Sequence, residues 1–117
     1  MNIKLWIIAL LMVGINLTAK SQVVYPTQYQ SVADVVVYVT DFQSTADLIV
    51  YKAPFQTYPG VDQNEGVWYF TNYQTIADKT IYFTPYQSTA DLIIYYTDIP
   101  TIAGCQNPQK KGLMAVN

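Results

Sequence analysis

Residues 82–94 read Tyr82-Phe83-Thr84-Pro85-Tyr86-Gln87-Ser88-Thr89-Ala90-Asp91-Leu92-Ile93-Ile94, and Tyr95 begins the phrase again. Working outward, Tyr69 lies 13 residues earlier, and Tyr25, Tyr38 and Tyr51 keep the same step of 13. One longer step of 18 separates Tyr51 from Tyr69. A fixed period of this kind marks a repeat architecture, so it governs the reading of everything else. The unit is Tyr-x-Thr-x-(Tyr/Phe)-Gln-(Ser/Thr)-x-Ala-Asp, followed by an apolar stretch.

The apolar stretches are rich in β-branched and aromatic residues, as in Asp34 to Phe42, Leu48 to Tyr51, Ile81 to Thr84 and Leu92 to Thr97. They predict strands. Polar segments such as Gln43 to Asp47 are turn-sized, and no segment sustains a helical period. Each strand has two unlike faces. One carries the Tyr, the Thr and the second aromatic (Tyr82, Thr84, Tyr86). The other carries Val37, Val50, Ile81 and Ile94, each directly before its Tyr. With apolar groups on both faces, the strands belong to a closed or wrapped structure. A slim solenoid with one coil per repeat has too little interior room for two aromatics per unit. The expected fold is all-β, with six short strand-turn repeats in one domain and internal two-fold repetition (22–57 and 67–105). The third copy opens into a long loop, 58–66, and the polar segment 106–117 is expected to be a flexible tail.

The first 21 residues read as a signal peptide. Lys4 supplies the positive start, Leu5 to Ile15 the apolar run, and Ala19-Lys20-Ser21 a small-x-small exit. The run is too short to cross a bilayer, so no permanent membrane span is expected. Cleavage is placed near Ser21-Gln22, with a periplasmic or secreted product. Removing Lys4 and Lys20 leaves four Lys against eight acidic residues.

The residues Tyr-Phe-Thr-Asn-Tyr-Gln (69–74), Ala-Asp-Lys-Thr-Ile-Tyr (77–82), Tyr-Gln-Ser-Thr-Ala-Asp-Leu-Ile-Ile-Tyr (86–95) and Ala103-Gly104 carry a resemblance. Over residues 23 to 105 the chain resembles a family of small β-repeat proteins of unknown function, associated with a seven-crossing (septoil) torus knot. The resemblance implies a deeply knotted chain and no assigned activity. It also implies a large aromatic after Ala103-Gly104 to close the end, where this chain has Cys105. The third repeat lacks the Ala-Asp pair.

Composition excludes several functions. The chain has no His and its net charge is -2. It therefore lacks a proton shuttle near neutral pH and is a poor nucleic-acid binder. One Cys makes neither an internal disulfide nor a zinc cluster, and Cys105 has no histidine base to activate it. No cofactor is expected. The sharpest ligand candidates are Asp34, Asp47, Asp78 and Asp91, whose carboxylates would hold calcium if the turns stacked. Against that, each Asp follows a Ser or Thr by three residues, a pattern that suits local capping of turn N–H groups. The aromatics Tyr29, Phe42, Phe55, Tyr73 and Tyr86 are expected to pack between strands. Their other use would be a stacking platform for a sugar or peptide. Tyr58, Asp62 and Glu65 of the long loop form the expected contact surface, because loops on rigid scaffolds carry function.

The function expected is an exported, non-enzymatic structural or binding module with a protein or glycan surface partner. The alternatives are calcium-dependent adhesion through the Asp turns and a small hydrolase using Asp62 and Glu65.

Overall fold

The apolar stretches do form strands, and every one of the six repeats supplies one. In the computed structural model, which describes residues 21–56 and 66–114, they are β1 (Gln22–Pro26), β2 (Val35–Val39), β3 (Leu48–Lys52), β4 (Val67–Phe70), β5 (Lys79–Phe83) and β6 (Leu92–Thr97). A short seventh strand, β7 (Gly104–Cys105), follows. The strand order is β4-β1-β5-β2-β6-β3, and a β3–β4 pairing closes the sheet into a six-stranded barrel. All six barrel pairings are parallel, and β7 runs antiparallel beside β3.

Strands consecutive in sequence never pair within either triplet. β1, β2 and β3 take alternate places round the barrel, and β4, β5 and β6 fill the gaps, so the chain makes two laps. Each of the four described connections within a lap passes outside a strand of the other lap and is fastened to it at both ends. Leaving β1, the Thr27 N–H donates to the Ile81 carbonyl at 2.8 Å; entering β2, the Asp34 N–H donates to the Thr80 carbonyl at 2.7 Å. Thr40 and Asp47 bracket Ile94 and Ile93 in the same way. So do Thr71 and Asp78 on Val24 and Val23, and Thr84 and Asp91 on Val37 and Val36. A crossing this short works because the strands are staggered: Pro26 at the end of β1 and Val35 at the start of β2 both stand opposite Ile81 of β5.

The interior is filled by one residue per strand directly before each repeat Tyr: Val24, Val37, Val50, Trp68, Ile81 and Ile94, all fully buried. The crossing loops cover the outer side too. Val23, Val36, Ile49, Val67 and Thr80 alternate with interior residues, yet all are buried. This is why both faces of each strand read as apolar.

The turns predicted from Gln-Ser/Thr are single 3₁₀ turns, at Gln30–Val32, Gln43–Thr45, Gln74–Ile76 and Gln87–Thr89. The segment after Cys105 departs from expectation. It is docked as far as residue 114 rather than loose. Gln106 Nε2 donates to the carbonyls of Gln43 and Ala46 at 2.8 and 2.9 Å, and Lys110 Nζ donates to the Asp91 carbonyl at 2.7 Å. Asp47 and Asp91 stand just before β3 and β6, so the tail crosses the end where the strands begin. Met114 is fully buried in the core and Leu113 packs against it. They close the end that an aromatic after Gly104 was expected to close.

Candidate functional site: the aromatic end of the barrel

In five of the six repeats the Thr two residues after the Tyr turns its hydroxyl back on the chain; the third repeat has Ala53 at that position. Thr27, Thr40, Thr71, Thr84 and Thr97 accept the N–H groups of Tyr29, Phe42, Tyr73, Tyr86 and Ile99 at 3.0–3.2 Å. The 3₁₀ turn then donates back to the carbonyl of that same residue, as Val32 N–H does to Tyr29. Two copies add a hydroxyl pair, Thr40–Thr45 at 3.2 Å and Thr84–Thr89 at 3.1 Å. The residue between the Thr and the 3₁₀ turn therefore sits on a pinned apex.

That residue is the second aromatic of the repeat, and it does not pack between strands. Tyr29, Phe42, Phe55, Tyr73 and Tyr86 are between 62% and 70% exposed. The expectation of cross-strand packing fails because the apex lies on a loop that already passes outside a strand. Ile99 holds the sixth apex and is also exposed. Because all six strands run parallel, every apex follows the C-terminal end of its strand. The hydrophobic residues thus ring one end of the barrel.

Inside that ring lies the barrel mouth. The inward position after each repeat Tyr is Pro26, Val39, Lys52, Phe70, Phe83 or Tyr96, by strand alternation with the buried residues before the Tyr. The rings of Phe70 and Phe83 are 6.4 Å apart, and Phe70 meets the buried Trp68 edge-on at 6.0 Å. Lys52 is the one cation of this set. Its ammonium lies 4.3 Å from the centre of the Tyr96 ring and 5.9 Å from that of Phe70. Burial pushes the Tyr96 hydroxyl up to about 12, so it stays a neutral phenol at ordinary pH.

The Asp series has a different role from either sequence reading. Each carboxylate reaches across to the strand its loop has crossed. Asp34 Oδ2 accepts the Thr80 N–H at 2.8 Å, Asp47 that of Ile93 at 2.9 Å, Asp78 that of Val23 at 2.8 Å and Asp91 that of Val36 at 2.9 Å. The same four residues give their own N–H groups to the carbonyls of those partners. The result is a reciprocal two-point clamp between residues far apart in sequence, not a local cap. Nor do the four Asp gather: among the described residues no group of three or more His, Cys, Asp or Glu is placed to hold a metal ion. On β3 the flank that a clamp would cover is taken by β7, with Gly104 opposite Ile49. Tyr58, Asp62 and Glu65 lie outside the described residues. Cys105 is exposed and its thiol donates to the Asn107 carbonyl at 3.0 Å.

A chain that laps a barrel twice, with each described connection within a lap outside a strand of the other, follows the winding of a two-lap torus knot. The 7(1) septoil knot domain matches residues 21–106. The chain belongs to that family. Neither a curated protein nor a solved structure matches it. Among the described residues of this septoil knot domain, no helix is long and apolar enough to cross a membrane.

Sequence reasoning named the ring aromatics but gave them the wrong surroundings, and it missed Lys52. A signal for Lys52 was available. Its equivalents in the other five repeats, one residue after each Tyr, are Pro26, Val39, Phe70, Phe83 and Tyr96, none of them charged.

Proposed function

We propose that this septoil knot domain is an exported, non-enzymatic binding module that takes a glycan on the ring of loop apexes. The observation that carries the reading is the exposure of all five apex aromatics, four of them on backbone pinned by a threonine hydroxyl. A large contiguous set of exposed apolar side chains is informative in a way that a single one is not. Gln and then Ser or Thr follow each of these aromatics, and both are exposed wherever the structure describes them. A flat ring beside an amide and a hydroxyl suits the apolar face and the hydroxyl groups of a sugar. The aromatic, the amide and the hydroxyl are all uncharged, which favours a neutral polymer. With no His, the chain lacks the commonest general base, which supports a binding rather than a catalytic role.

The export reading draws support from the positive start, short apolar run and small-residue exit of the N-terminus. The family match beginning at residue 21 fits it. Ser21 belongs with the domain: it is buried, its N–H donates to the Gln56 carbonyl and its hydroxyl to that of Phe55, both at 3.3 Å. Cleavage between Ser21 and Gln22, the expected site, would remove both bonds, so the bonds favour a cut one residue earlier.

The test is electrophoresis through gels containing soluble β-glucan, galactomannan or xylan. We expect one of these polymers to retard the protein and the Tyr73→Ala/Tyr86→Ala double variant to run freely. An unchanged circular-dichroism spectrum would show that the variant is folded. No retardation by any of the polymers, or equal retardation of the double variant, would overturn the reading.

A further inference from the structure

The mouth of the barrel holds a feature that the apex ring does not use. Lys52 stands at an inward position, in line with the buried Leu48 and Val50 on the same strand. Its neighbours in the ring are Tyr96 on β6 and Phe70 on β4, the two strands that flank β3. A lysine that served only solubility would carry its ammonium out to water along its apolar stem. Here the ammonium is held over two aromatic faces, and it forms no ion pair among the described residues.

We infer that the mouth is a binding site for a small carboxylate carried on an aromatic body, with Lys52 pairing the carboxylate and Phe70, Phe83 and Tyr96 receiving the ring. Three observations argue for this occupant. Charge complementarity selects an anion, since Lys52 is the only cation among the six mouth positions. Size selects a single planar group: the Phe70 and Phe83 rings pair with each other at 6.4 Å, so they present one small aromatic surface beside Lys52. Placement of the cation is the third: Lys52 is solvent-exposed, yet its ammonium is held at the mouth by aromatic faces instead of swinging freely, which favours a charged partner over a neutral one. The cation–π contacts also hold the ammonium in place before the ligand arrives, which lowers the ordering cost of binding.

The site is distinct from the loop apexes, and it does not depend on the glycan reading. The other lysines of the described domain lie elsewhere. Lys79 opens β5 and Lys110 and Lys111 belong to the tail at the opposite end. Asp41 and Asp98 follow β2 and β6 at the mouth end, so the local field there is not generally attractive to anions. Attraction must then come from Lys52 itself and be lost with it.

The experiment titrates the full exported chain with 3-phenylpropionate and, separately, with its neutral amide, following backbone amide shifts by NMR. We expect shifts centred on residues 52, 70, 83 and 96, with the acid binding about tenfold or more tightly than the amide, the factor for one charge-assisted hydrogen bond. Lys52→Met should abolish the preference for the acid, while Lys52→Arg should keep it. The pattern of undisturbed shifts elsewhere shows that each variant is folded. Equal binding of acid and amide, a preference that survives Lys52→Met, or no binding of the acid at all would each overturn the proposal. The polysaccharide gels described above read the apex ring separately, and Lys52→Met should leave that retardation unchanged.

Discussion

Replacing Asp47 by alanine should destabilise the domain by about 3 kcal/mol, well beyond the same change at Asp91. The reasoning starts from what each carboxylate holds. Asp47 is 9% exposed and uses both oxygens: Oδ2 accepts the Ile93 N–H and Oδ1 accepts Asn107 Nδ2, each at 2.9 Å. Its carbonyl also receives the N–H groups of Gln106 and Asn107, so it is the anchor of the docked tail. A hydrogen bond to a charged acceptor contributes about 1.5 kcal/mol or more, and two are lost with the side chain. Asp91 holds only the Val36 N–H through its side chain and is itself exposed, so water can replace part of the bond. Its loss should cost about 1 kcal/mol. For a domain of this length each kcal/mol moves Tm by roughly 4–8 °C, so Asp47→Ala should lower Tm by about 15 °C and Asp91→Ala by about 5 °C. Asp41→Ala, at an exposed site where no side-chain bond is recorded, is the control and should fall within about 0.5 kcal/mol of wild type. Equilibrium denaturant melts measure all three, with unfolding rates alongside because a wound chain can refold slowly. If Asp47→Ala and Asp91→Ala gave the same shift, or if neither differed from Asp41→Ala, the clamp would not be what ties the laps together.

Gly66→Ala should cost about 3 kcal/mol, because a methyl group there would come within 2.6 Å of the Gly104 nitrogen and closer still to the Ile49 carbonyl, both backbone atoms that cannot yield alone. Thermal melts check it, and a wild-type Tm would show that β7 and β3 have slack. Tyr96 gives a pH prediction. Its folded value of about 12 lies above the unfolded value of 10.0, so its neutral form is favoured in the fold. The unfolded chain then releases the proton first, so the contribution is complete below about pH 10 and is lost as pH rises to about 12. Denaturant midpoints measured across that window should fall less steeply for Tyr96→Phe, and identical slopes would remove Tyr96 as a cause.

The repeat made the strands legible because the spacing of Val37, Val50, Ile81 and Ile94 before their Tyr residues is a local property of the chain. The same spacing could not show the strand order. The phrase is nearly the same in every copy, so nothing in it says whether β2 pairs with β1 or with β5. That information sits in the crossing loops, whose contacts join residues such as Asp34 and Thr80 that are 46 apart in sequence. Two misjudgements follow from this one gap. The aromatics after each Thr were assigned to packing because an ordinary turn would fold them onto the neighbouring strand, whereas a loop that rides over a strand lifts them off it. The Asp residues were assigned to local caps or to calcium because Ser/Thr-x-x-Asp is a local signal, whereas their partner is a strand N–H on the other lap. The tail was illegible for another reason. Its only large apolar residues are Leu113 and Met114, too few to make a pattern, and their value depends on the open barrel end above them.

The same geometry limits how this domain can meet a partner. Closing the sheet removes the free edge that strand addition would need, and β7 covers the flank of β3 where β4 starts late. The clamps occupy backbone N–H groups that the staggered neighbouring strand leaves unpaired, as Val23, Val36, Thr80 and Ile93 illustrate. Recognition is left to side chains, and the chain offers two kinds at one end. The apexes present nearly the same unit round the barrel, so a polymer that repeats can engage several weak contacts at once and gain by avidity. Lys52 breaks that equivalence at a single point. A surface with many like contacts and one unlike charge can hold a repeating partner on the apexes while the charge reads a separate small anion.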